Sequence, residues 1–151
     1  AWFVYFHMLF MVTDDEAFEG MMKRLDFPGN IYGRMCSDRE CFVEAMYDLS
    51  EERELKPSEI YDIFSKQSSE AVILLLAACS NKRMKEYVEL YFKKYCASAK
   101  IELSGDDLIG MGMEPGSSFS DVFKALRDAR INGQVTSRDE EIVLVESQFL
   151  K

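Results

Sequence analysis

Residues 104–141 read SGDDLIGMGMEPGSSFSDVFKALRDARINGQVTSRDEE, and the order of punctuation in this stretch decides the fold. Ser104-Gly105-Asp106-Asp107 opens a short helix, Gly110 and Gly112 terminate it, and Pro115-Gly116 makes a turn. Ser118-x-x-Asp121 then predicts the capped start of a long helix with Phe119, Val122, Phe123, Leu126 and Ala129 as its inner stripe, stopped by Asn132-Gly133. Ser137-x-x-Glu140 is a capping box for one more helix. No segment of the chain alternates with period two for long enough to demand a sheet, so the expected class is all-α, a multi-helix bundle with a C-terminal helical tail.

Upstream the same reading continues. Residues 1–12, AWFVYFHMLFMV, form an apolar helix, and Thr13 with Glu16 caps a second helix that runs to about Leu25 and ends at Phe27-Pro28-Gly29-Asn30. From Asp38 the set Cys41, Phe42, Ala45, Met46 and Leu49 recurs at helical spacing, with Asp38, Glu40, Glu44 and Asp48 facing elsewhere. Pro57 suits a first helical turn, with Ile60, Ile63 and Phe64 inward, and Gln67-Ser68-Ser69 breaks that helix. Ala71 to Cys79 is apolar all round, which predicts a central buried helix. Met84, Val88, Tyr91 and Tyr95 keep a further inward stripe, with Lys85, Glu89 and Lys93 outward. The change to Ser/Gly-rich texture after Lys100 divides a helical body, 1–100, from a tail subdomain, 101–151.

The 151 residues carry 48% hydrophobic side chains and three prolines, a globular composition sufficient for one or two small domains. The opening apolar run is shorter than the roughly 20 residues that span a bilayer, and no Lys or Arg precedes it, so neither a membrane span nor an export signal is expected. It reads instead as a helix buried in the core or against a neighbouring domain of a larger protein. Left uncovered, it predicts self-association, a homo-oligomer formed through Trp2, Phe3, Phe6 or Phe10. Cys36, Cys41, Cys79 and Cys96 show no C-x-x-C spacing, and the single histidine is His7, which excludes a zinc site and points to a reducing, cytoplasmic compartment.

The stretch from Leu103 to Glu141 resembles the C-terminal region of bacterial tRNA nucleotidyltransferases, the CCA-adding enzymes and related poly(A) polymerases. There a short S/G-G-x-D-L helix leads through G-x-x-P-G into a long helix ending at glycine. Gly105, Asp107, Leu108, Gly112, Pro115, Gly116, Leu126, Ala129, Gly133 and Glu140-Glu141 carry the resemblance; the preceding hundred residues share only the family's rhythm of short helices. The resemblance implies a helical region that positions tRNA, while an N-terminal catalytic head with a G-S-x-R turn and a carboxylate pair uses magnesium, CTP and ATP. Neither head motif stands here. Gly116-Ser117 is followed by Ser118-Phe119, and the pairs Asp14/Glu16, Asp38/Glu40 and Asp139/Glu141 lie at expected helix starts, where carboxylates favour the dipole. His7-Met8 departs from the His-Asp pair of the metal-dependent phosphohydrolase domain that some members carry. No catalytic residue, metal ligand or cofactor is therefore expected within this chain, and tRNA and the missing head are its expected partners.

Net charge is −9, but its distribution is uneven. Residues 1–60 hold six basic against thirteen acidic side chains, 101–151 five against ten, and 61–100 seven against four. Lys82, Arg83, Lys85, Lys93, Lys94 and Lys100 make the middle basic, interleaved with Tyr87, Tyr91, Phe92 and Tyr95. The lysines are candidates for RNA phosphates or for a plain solvated face, and the aromatics for base stacking or a core stripe. Lys124, Arg127 and Arg130 form a second candidate face, with Asp121 and Asp128 placed to neutralise Lys124. The structural turn Gly112, Pro115, Gly116 aims the helix from Ser118, with Gly116 expected to hold a backbone shape that a side chain would oppose. The expected function is tRNA binding; the alternative is a helical protein-interaction or oligomerisation module.

Overall fold

The computed structural model describes residues 2–11, 13–50, 53–78 and 82–150; Cys79 and the side chains of Trp2, Phe3 and His7 lie outside the described residues. In chain order the helices are α1 (Trp2–Met11), α2 (Asp15–Leu25), α3 (Gly29–Ser50), α4 (Pro57–Ser65), α5 (Ser69–Ala78), α6 (Lys82–Leu90), a π-helical turn (Tyr91–Tyr95), α7 (Cys96–Ser98), α8 (Gly105–Gly110), α9 (Ser118–Ile131) and α10 (Arg138–Phe149). The fold is all-α: among the described residues there is no strand. Nor is any described helix long and apolar enough to cross a membrane. Two compact units form, residues 1–54 with 62–88 and residues 55–61 with 89–151.

In the first unit α1 packs on α3 and α5. Phe10, Phe18, Met22 and Met35 are buried together, with Phe6 and Phe27 stacked around them at ring separations of 5.5 to 5.7 Å. Phe10 is 2% exposed, so it belongs to this core and is not available for the self-association expected of it; the open side of α1 carries Tyr5, Met8 and Leu9. Arg39 locks the corner between α1 and α2, donating to the carbonyls of Phe10 and Thr13 and to Asp15, with its guanidinium 5.0 Å from the Phe18 ring centre.

Several local expectations shift here. Asp14, not Thr13, caps α2, accepting from the Ala17 N–H, while Thr13 donates its hydroxyl to the Phe10 carbonyl. Helix α3 begins at Gly29, because the Pro28 carbonyl accepts from the Ile31 and Tyr32 N–H groups and starts the turn that the Pro-Gly pair was expected only to break. Asp38, expected outward, is buried inside α3, where its carboxylate accepts from the Ser68 N–H at 3.2 Å and hydroxyl at 2.8 Å. Ser68 in turn accepts from the Ala71 N–H, so Asp38 and Ser68 together start α5. On α5 Ala71, Val72, Leu74 and Leu75 are buried but Ile73 is 52% exposed, so this helix has an open edge despite its apolar sequence.

The second unit is built on Leu103, Leu108, Val122, Leu126 and Val145, with α9 packed against both α10 and α7. Ser104 and Asp107 exchange both capping-box bonds at the start of α8. The Ser104 hydroxyl and N–H, with Arg138 beyond them, hold the Asp107 carboxyl below its ordinary value. Gly112 (φ 93°) ends α8 in a Schellman arrangement: its N–H reaches the Ile109 carbonyl and the next N–H, of Met113, reaches Leu108. Gly133 (φ 73°) repeats this at the end of α9, with bonds to Arg130 and from Gln134 to Ala129. The long helix starts one residue earlier than expected, at N-cap Ser117, with no side-chain cap bond. At α10 Ser137 accepts from the Glu140 N–H, but the Glu140 carboxylate turns to the Thr136 N–H and hydroxyl, which lower its pKa, rather than closing the box.

Gly116 does not hold a left-handed backbone, and a Cβ there meets nothing within 4 Å, so the strain expected at Gly116 belongs to Gly112. Gly112→Val is expected to destabilise the protein by about 1–3 kcal/mol, whereas Gly116→Val should leave thermal unfolding nearly unchanged. Equal effects of the two variants in a melting experiment would refute this assignment.

Candidate nucleic-acid interface

The candidate residues fall into the two units. In the first, Lys82 and Lys85 are exposed on α6, Lys82 within 3.8 Å of Glu86, while Arg83 is half-buried and donates to the Leu49 carbonyl. Arg83 therefore holds the end of α3 as much as it offers charge. Tyr87 is buried and belongs to the packing of this helix.

In the second unit the chain leaves α6 through the π-helical turn, marked by the Cys96 N–H donating to the Tyr91 carbonyl five residues back. Such wide turns interrupt the regular ladder and are frequent at functional sites. This one presents Phe92, Lys93 and Lys94 to solvent and keeps Tyr95 buried. Lys93 pairs with Glu89 one turn back, an exposed pair that lowers the Glu89 pKa through its hydrogen bond. Exposed pairs of this kind are weak enough for a phosphate to compete.

Two of the sets that the sequence left separate meet at Tyr61. Arg127 of α9 lies with its guanidinium carbon 5.2 Å from the Tyr61 ring centre and an amino group 3.3 Å from Asp128. Tyr61 packs on Tyr91 at 5.7 Å, and Tyr91 on Phe92 at 5.0 Å with the rings tilted by 67°. Arg127, Tyr61, Tyr91 and Phe92 thus form a continuous column that ends in solvent at Phe92, on the turn that also exposes Lys93 and Lys94. Burial first, then the hydrogen bond shared with the Cys96 thiol, pushes the Tyr91 phenol well up, so this ring stays neutral throughout the physiological range. Tyr61 escaped the sequence reading because α4 lies far from both basic sets along the chain and carries no local mark of their proximity.

Lys124 is exposed on α9, the helix that also carries Arg127. Arg130 departs from the candidate set. Its side chain is 12% exposed, and Nε donates to Glu141 at 2.5 Å while a terminal amino group donates to Glu102 at 2.7 Å. Desolvation alone would lower its pKa, yet the hydrogen bonds to Glu102 and Glu141 outweigh that and raise it. Glu141, wholly buried, also accepts from the N–H groups of Glu102 and Leu103. Arg130 is thus bound into the fold and offers little to a ligand.

Pro115 and Gly116 are exposed on the turn before α9, and the Gly116 carbonyl accepts from the Phe119 N–H. Among the described residues no cluster of three or more His, Cys, Asp or Glu side chains could hold a metal ion.

Aligned along its length, the sequence is 28% identical over 146 residues to the A-adding tRNA nucleotidyltransferase of Geobacter sulfurreducens. The chain is similar to a tRNA nucleotidyltransferase. The match covers 94% of this chain and 16% of that protein, so the chain spans about one sixth of the length of the relative. No protein-family model matches it, and no solved structure does. The similarity extends through both compact units, beyond the tail stretch that carried the resemblance in sequence.

Proposed function

We propose that this chain is the RNA-contacting helical part of a tRNA nucleotidyltransferase, holding folded tRNA while a separate catalytic head, with magnesium and CTP or ATP, extends the 3′ end. The observation that carries this reading is the similarity to a tRNA nucleotidyltransferase over nearly the whole chain. The exposed cations Lys93, Lys94 and Lys124, on the same unit as the Arg127–Tyr61–Tyr91–Phe92 column, supply chemistry suited to a phosphate backbone. Lys82 and Lys85 add positive charge on the first unit. Contacts of this kind read the shape and backbone of a folded RNA, with no base-by-base code.

Charge reversal tests it. Lys93→Glu with Lys94→Glu should weaken tRNA binding in a mobility-shift titration and flatten its dependence on salt, by roughly one unit of slope for each phosphate that is no longer neutralised. Melting should barely change, because both side chains are solvent-exposed. Unaltered affinity and slope in a folded double variant would remove these lysines from the interface.

A second reading, a helical protein-interaction module, is favoured by one observation: Tyr5, Met8 and Leu9 stand 50 to 71% exposed on a single face of α1. A wild-type chain that binds no tRNA but sediments as a concentration-dependent oligomer would move the function there.

A further inference from the structure

The π-helical turn leaves Phe92 51% exposed although the same turn buries Tyr95. One exposed phenylalanine needs no explanation by itself. This ring, however, stands at the end of a supported column: Tyr91 against it at 5.0 Å, Tyr61 against Tyr91 at 5.7 Å, and the Arg127 guanidinium 5.2 Å from Tyr61. Each neighbour limits how the next can turn, so Phe92 is held in place on one side while half its surface faces water. Lys93 and Lys94 follow it directly, both exposed. An aromatic surface on a turn that also exposes ammonium groups at its flanks is a combination suited to single-stranded nucleic acid, the ring taking the π-face of a base and the lysines phosphates of the strand that passes over the turn.

We infer that Phe92 is a stacking platform for one unpaired nucleobase of a bound RNA, with Lys93 and Lys94 on the neighbouring phosphates. This rests on the RNA-binding reading and adds to it what the lysines alone do not supply: a preference for RNA with an unstacked base over a fully paired helix. In A-form RNA the bases are enclosed within the stack, and only loops, bulges and ends can offer a face to an aromatic ring.

The full chain carrying Phe92→Leu, Phe92→Trp or Phe92→Ala is titrated against folded tRNA, a short single strand containing 2-aminopurine, and a fully paired RNA duplex. Leucine keeps the apolar bulk without the π-face, and tryptophan keeps the π-face. Phe92→Leu is expected to weaken single-strand and tRNA binding by roughly five- to a hundredfold, the scale of removing one base–aromatic stack. Phe92→Trp should retain binding and the fluorescence quench of 2-aminopurine. Salt slopes should stay unchanged, since every phosphate keeps its cation.

If Phe92→Leu binds both RNAs as the wild type does while the Lys93/Lys94 reversal still weakens them, the platform is refuted and the RNA reading stands. Equal weakening on duplex and single strand would also overturn it, since it would mark the ring as a structural support. A wild-type chain with no affinity for any of the three RNAs would defeat both ideas together, and self-association abolished by Phe92→Ala would reassign the ring to a protein contact. Should the alanine variant fail to fold, the leucine and tryptophan variants decide the outcome.

Discussion

Replacing Glu141 with Ala is expected to destabilise the second unit by about 3–5 kcal/mol, the range for removing one partner of a buried charge pair. The carboxylate is wholly buried and accepts from the Glu102 and Leu103 N–H groups and from Arg130 Nε. Its loss leaves the buried Leu103 N–H without an acceptor and removes the counter-charge enclosed beside the Arg130 guanidinium. Glu141→Gln, which preserves shape and one carbonyl oxygen, should be milder. Urea unfolding followed by circular dichroism gives the magnitude, and amide exchange over 101–150 locates it. A loss below about 1 kcal/mol would show that the network is dispensable.

The second large effect is expected at Leu126, wholly buried among Leu103, Leu108, Val122 and Val145. Leu126→Ala should lower stability by about 2–5 kcal/mol, combining lost transfer energy with an incompletely filled cavity. Ile73→Ala, on the open edge of α5, provides the contrast and should stay within about 0.5 kcal/mol. Comparable losses at the two positions would contradict the difference in burial between them.

These two residues also show why the tail was legible in sequence. Among the residues that carried the resemblance, Asp107 caps α8, Leu108 and Leu126 fill the core, Gly112 and Gly133 end their helices in left-handed backbone, and Glu141 anchors the segment before α8. Each such task admits few side chains, so the pattern records how the unit folds. Helix punctuation and stripe spacing are local physics, and they gave the helical class directly. Long-range pairings were hidden. Asp38 looked like a solvent residue because its partner Ser68 lies on another segment, and Arg130 stood as a candidate RNA contact because Glu102 and Glu141 approach it only in the folded chain. The column through Tyr61 was invisible for the same reason. The division expected at residue 100 followed a change of texture, whereas the compact units follow packing and separate before Glu89.

That division places Leu55–Tyr61 with residues 89–151, and the join is physical: Ser58 and Asn132 exchange two hydrogen bonds across 74 positions of sequence. During synthesis the short early segment must therefore emerge, wait while the intervening residues are made, and be recaptured only when the end of α9 has left the ribosome. Contacts at such sequence separation form late and slowly, because the loop they close must be ordered first. A translation product ending before Asn132 lacks both of these hydrogen bonds to Ser58. Closure of the second unit therefore depends on residues at both ends of this 74-residue separation.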